Sequence, residues 1–200
     1  MIALSEGYHA HGGVYCPRRS NTTNTPNCAT LVIYRGYGSW GYPASRLLLD
    51  RRELGRANKY VLGDVFFCDF EKAMRIMGRL MGKIHLVYGN HDQVIQKNGR
   101  LVEKFESVAH YRKLRIGKQV VILHHYPYLE WEQCHRGAYA LFGHVHGSMD
   151  RNPHVLRYRT MDVGVDSRPG GVAPQDGAMT LWNWDQVDSI LKQREILTHH

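Results

Sequence analysis

Residues 59–93 read KYVLGDVFFCDFEKAMRIMGRLMGKIHLVYGNHDQ, and the periodicity of this stretch decides the fold class. Lys59–Leu62 is a short β-prone run, stopped by Gly63-Asp64. Phe70, Ala73, Met74, Met77, Leu80 and Met81 recur at the spacing of one helix face, which predicts an amphipathic helix over 70–82. Ile84–Tyr88 is a second β-prone run. It stops at Gly89, and Asn90-His91-Asp92 follow at once. Strand, helix and strand in that order predict a βαβ unit and an α/β protein.

Downstream, Tyr111–Ile116 and Gln119–Leu123 flank Gly117-Lys118, the pattern of a hairpin. Ala138–Phe142 and Met161–Val165 are further short apolar runs, and Asp185–Glu195 reads as a C-terminal helix. Residues 12–58 differ: Asn, Thr, Gly, Tyr and Arg mix without a clear period, and only Leu31–Tyr34 reads as a strand. So long a stretch with so little structural signal is unusual inside a compact domain. We therefore expect one domain in two parts, an atypical 1–58 and a core over 59–200.

The 200 residues are 43% hydrophobic and 22% charged, enough to bury a core and unlike a disordered chain. No apolar run approaches the ~18 residues of a membrane span. The start, MIALSEGYHAHGG, lacks the basic and long apolar regions of a signal peptide. Cys16, Cys28, Cys68 and Cys134 lie far apart with no C-x-x-C pair, so free thiols and a cytoplasmic location are expected. The net charge of +8 is spread along the chain without a basic block, so a dedicated nucleic-acid surface is not favoured.

Four apolar runs end in polar clusters: Gly63-Asp64, Gly89-Asn90-His91-Asp92, His124-His125 and Gly143-His144-Val145-His146. In open α/β sheets ligands bind beyond the carboxyl ends of the strands. Asp, Asn and His gathered there are metal ligands, and neutral imidazoles suit Mn, Fe, Zn or Ni. Taken singly, Gly-Asp is usually a turn, and His124-His125 reads as one buried and one exposed histidine. His144 and His146 on an extended segment would share a face and address one centre. The absence of a G-x-x-x-x-G-K-[ST] loop leaves nucleotide hydrolysis by that route unsupported.

Leu62-Gly-Asp64, Gly89-Asn-His-Asp92, Leu123-His-His-Tyr-Pro127, Gly143-His-Val-His146 and Val163-Gly-Val-Asp166 occur in this order over about 59–170. In this the chain resembles the calcineurin-like metallophosphoesterases, and most closely their small bacterial and phage-type members. The resemblance implies two packed mixed β-sheets flanked by helices and a site holding two divalent metal ions. Asp64 would bridge the metals, Asn90, His125 and His144 would complete the shell of one, and His146 would bind the other. His125 is preferred to His124 because it precedes Tyr-Pro. His91 would stabilise charge on the phosphoryl oxygens and protonate the leaving oxygen, with Asp92 orienting its ring. The implied reaction is hydrolysis of a phosphate mono- or diester by metal-activated hydroxide.

The family begins with a strand ending in Asp-x-His, often within Ser-Asp-x-His-Phe-Gly-His. Here the stretch is Ser5-Glu-Gly-Tyr-His-Ala-His11, which sets Glu6 on the Asp, Tyr8 on the His and His11 on the later His. Tyr8 is a poor stand-in for an imidazole; Glu6 and His11 are the remaining candidate ligands. Two accounts fit: a degenerate site holding one metal, or residues 5–55 translated in a shifted reading frame. Tyr34-Arg-Gly-Tyr-Gly-Ser39, shifted one base with suitable codons, gives Thr-Val-Ala-Met-Asp-Arg, and Met-Asp is frequent there in the family. The competing functional classes are a catalytically impaired binding module on the same fold and a nuclease with salt-sensitive nucleic-acid binding.

Overall fold

The computed structural model describes residues 58–80, 82–164, 167, 182 and 184–198. The calls on Glu6, Tyr8 and His11, on the reading frame of 5–55, on the strand Leu31–Tyr34 and on Val165-Asp166 lie outside these residues. The chain is α/β with two sheets. Strands β1 (Asn58–Val61), β2 (Lys83–Val87) and β3 (Ser107–Ala109) form a parallel sheet in the order β1-β2-β3. Strands β4 (Tyr111–Ile116), β5 (Gln119–His124), β6 (Tyr139–Phe142) and β7 (Thr160–Asp162) form the second, in the order β4-β5-β6-β7. In it β4 and β5 pair antiparallel, while β5, β6 and β7 run parallel. Two mixed sheets were expected; among the described residues only the second is mixed. The reason is local: β1, β2 and β3 are joined by helical crossovers, and the only hairpin among the described residues is the Gly117-Lys118 turn between β4 and β5.

Helix α1 (Phe70–Met77) is the crossover from β1 to β2. Asp69 caps it, its carboxylate accepting the Lys72 N–H at 2.8 Å. It ends at Met77, with Gly78 as its cap, four residues before the apolar spacing stops at Met81. The chain then tightens, with Arg79 N–H donating to Ile76 O and Leu80 N–H to Met77 O. Leu80 still packs on the helix-side core, which is why its spacing read as helix. Short helices α2 (Gln93–Gln96) and α3 (Gly99–Val102) carry the chain from β2 to β3. Helices α4 (Pro153–Arg157) and α5 (Trp184–Leu191) precede β7 and follow it.

Strand alternation sorts the side chains into layers. Tyr60, Leu62 and Val87 of the first sheet meet Val121, Leu123, Tyr139, Leu141 and Met161 of the second in one buried cluster, joined by Val187 and Leu191 of α5. Val61, Ile84 and Leu86 face the other way, against Ala73 and Met77 of α1 and Ile95 and Leu101 of α2 and α3. Val120 and Ile122 pack on Trp131 and Cys134 behind the second sheet. β6 is buried throughout. At the starting ends of the parallel strands His85 bonds Ser107 Oγ through Nδ1 at 2.7 Å and Asn58 Oδ1 through Nε2 at 3.2 Å. No described helix is long and apolar enough to cross a membrane.

Lys59 is buried on β1, and that burial lowers its pKa to about 8. The fold therefore holds the neutral amine where the unfolded chain is still protonated. Stability is expected to rise between pH 8 and the unfolded value near 10.5, on the order of 2–3 kcal/mol. Urea unfolding at pH 7.5 and pH 10 should show Lys59→Met losing this rise; parallel pH profiles for the two proteins would contradict it.

Candidate metal centre

The centre lies where β1, β2, β5 and β6 end. After β1 the chain turns through two left-handed residues, Gly63 at φ 86° and Asp64 at φ 56°. A Cβ on Gly63 would stand 2.4 Å from Gly89 N, and one on Gly89 would stand 2.2 Å from Asp64 Oδ1. Glycine at both positions is what lets the two strand ends touch. The left-handed turn at Asp64 costs about 1 kcal/mol and turns its carboxylate toward the end of β5. Of the four described non-glycine residues with positive φ, three are Asp64, His144 and His146. Such strain persists only where surrounding bonds hold it.

At Asp64 those bonds come largely from Asp92. Its Oδ2 accepts the Asp64 N–H at 2.9 Å and the Gly89 N–H at 2.7 Å, and its Oδ1 accepts the Val65 N–H at 2.7 Å. Burial pushes its carboxyl up to about 6, against the opposing pull of these three N–H groups. The expectation that Asp92 orients the His91 ring is corrected here. Both of its oxygens point inward to backbone and tie the two strand-end loops together.

Four donor atoms converge above this tie. His125 Nδ1 donates to the Leu62 carbonyl at 2.7 Å. A carbonyl only accepts, so the proton sits on Nδ1 and the Nε2 lone pair points into the centre. His125 Nε2 lies 2.9 Å from Asn90 Oδ1, 3.2 Å from His144 Nδ1 and 3.5 Å from Asp64 Oδ2. Ligand atoms of Asp64, His125 and His144 lie within 4.8 Å of one another, with Asp64 and His125 buried and His144 half-buried. Two imidazoles, a carboxylate and an amide oxygen are a borderline-hard set suited to a divalent ion. Acceptor atoms held this close repel one another unless a proton or cation sits among them.

His144 is carried here by β6, and Gly143 N–H donates to His125 O at 3.0 Å, locking the β5 and β6 ends together. His146 stands apart from the grouped three. The expected i, i+2 alignment required an extended segment. Instead, His144 and His146 both adopt positive φ, and 146–151 is turn. His146 is exposed. His124 is fully buried, bonds the Tyr126 carbonyl through Nδ1 and stacks on Tyr128 at 4.0 Å. Burial lowers its pKa to about 4, so it is a neutral packing residue. His91 is exposed beside the donors: its N–H donates to Asp64 Oδ1 at 2.8 Å, and its ring lies 5.2 Å from that of Phe67.

Two contributions escaped the sequence reading. The Leu62 carbonyl, which fixes the His125 tautomer, leaves no trace in residue identity. Asp162, at the end of β7, accepts the Gly147 N–H at 3.0 Å and the Gly164 N–H at 2.8 Å, pinning the loop that carries His144 and His146. Its signal was present: a carboxylate set inside the apolar run Met161–Val165.

No protein-family model matches the chain, and no curated protein matches it. Among solved structures it is similar to a protein of unknown function from Aquifex aeolicus, at 22% identity and a TM-score of 0.42, over 58% of this chain and 69% of that one.

Proposed function

We propose that the chain is a metal-dependent phosphoesterase with the calcineurin-like sandwich, hydrolysing a phosphate mono- or diester. The observation that carries this reading is the convergence of Asp64, Asn90, His125 and His144 from four strand ends, with His91 beside them and outside the donor set. The four residues would hold one divalent ion. The resemblance implies a second ion, which His146 would bind; the further candidates Glu6 and His11 lie outside the described residues. A bound divalent ion supplies Lewis-acid polarisation of a phosphoryl oxygen and a lowered pKa for attacking water.

The chain's own residues do the rest. The Leu62 carbonyl keeps the His125 lone pair aimed inward, and Asp92 holds the Asp64 and Asn90 loops in register. His91, exposed and anchored through its N–H to Asp64, donates a proton to the departing ester oxygen. The exposed ring has room for a substrate, which a buried structural histidine such as His124 lacks.

The test is hydrolysis of bis-p-nitrophenyl phosphate by the full chain with added Mn²⁺, Zn²⁺ or Ni²⁺. Turnover should require the metal, stop with chelator and fall at least about a hundredfold in His125→Ala. A folded protein inert with every metal would sink the enzymatic reading and favour a binding module.

A further inference from the structure

The rings of Phe67 and Tyr126 stand at the two ends of the donor row. Phe67 is 46% exposed, with its ring tilted 44° to that of His91. Tyr126 is 44% exposed, with its ring 4.6 Å from that of His144 and 4.8 Å from that of His125. Between them the row is continuous, from His91 through Asp64 to His125 and His144. Tyr126 meets both imidazoles close to edge-on, at 65° and 77°, a geometry that fixes the ring while leaving much of it in solvent.

A single exposed aromatic residue is ordinary. Two flanking one polar centre match the composition of a ligand site, with apolar walls around a few convergent polar groups. We propose that Phe67 and Tyr126 select phosphate esters bearing a planar aromatic group, an aryl ring or a nucleobase, which stacks on one of these rings while the phosphoryl group occupies the donor centre. This specificity rests on the phosphoesterase reading. Stacking tolerates any planar ring, so the pair selects for flatness and leaves hydrogen-bond pattern unread.

Titration calorimetry of the full chain with Mn²⁺ compares ribose 5-phosphate, phenyl phosphate and adenosine 5′-monophosphate. The nucleotide should bind about tenfold more tightly than ribose 5-phosphate, the size of one stack. The double variant Phe67→Leu/Tyr126→Leu should bring that ratio close to one, and Tyr126→Phe should keep it, with melting curves confirming that both variants fold. Phenyl phosphate binding as tightly as the nucleotide would support the aryl form of the proposal, and weaker binding the nucleobase form. Equal affinity for the nucleotide and ribose 5-phosphate, or an unchanged ratio in the double variant Phe67→Leu/Tyr126→Leu, would overturn the aromatic selection and leave the phosphoesterase reading standing. No binding of any of the three, with no turnover of bis-p-nitrophenyl phosphate, would overturn both.

Discussion

Asp92→Ala is expected to cost about 3–5 kcal/mol of unfolding free energy, a large part of the 5–15 kcal/mol that holds a typical domain together. The reason is the number of groups left behind. Asp64 N–H, Gly89 N–H and Val65 N–H all donate to this one carboxylate, which has no exposure to solvent. Each buried donor without a partner costs about 1–3 kcal/mol, and nearby losses add incompletely. Asp92→Asn keeps one oxygen but turns an amide N–H₂ toward at least one of the three donors, so an intermediate loss is expected. Urea unfolding in metal-free buffer reads both. Had Asp92 oriented the His91 ring, alanine would spare stability and lower only the rate; that outcome would contradict the structural role argued here.

His91→Ala is expected to do the reverse. Loss of a positioned proton donor lowers the rate by about 10²–10⁴. Metal content should be unchanged, because only the His91 backbone N–H touches the donor set. Stability should also change little, since the ring is exposed. The loss should depend on the leaving group: alkyl phosphates, whose alkoxide needs the proton, should suffer the full loss, and p-nitrophenyl esters a smaller one. Comparing kcat for the two ester types in wild type and variant checks this. An equal loss for both would remove His91 from proton transfer.

The part of the fold legible in sequence was the part with a strong period. The βαβ unit of 58–87 and the hairpin of β4 and β5 were readable because apolar spacing switches cleanly between helix and strand. Helices α2 and α3 are four residues each, too short to show a period, and β3 is three half-buried residues. The donors were legible because each ends an apolar run, a rule about where strands stop that needs no knowledge of pairing. The apolar pattern alone does not separate His125 from His124; only the family resemblance, through the following Tyr-Pro, preferred His125. Their difference is made by the Leu62 carbonyl, 63 positions away, and by the ring of Tyr128. Asp92 was misjudged because sequence adjacency to His91 suggested a side-chain partner. Its actual partners include Asp64 and Val65 on another loop, 28 and 27 positions away.

The central claim is that Asp64, Asn90, His125 and His144 form a metal centre. Equilibrium dialysis of the purified full chain against Mn²⁺ or Zn²⁺, beside His125→Ala, tests it without relying on any substrate. At least one ion per wild-type chain is expected, with affinity reduced about a hundredfold or more in the variant. A folded wild-type chain that takes up neither ion, or a variant that binds as tightly as wild type, would contradict the account.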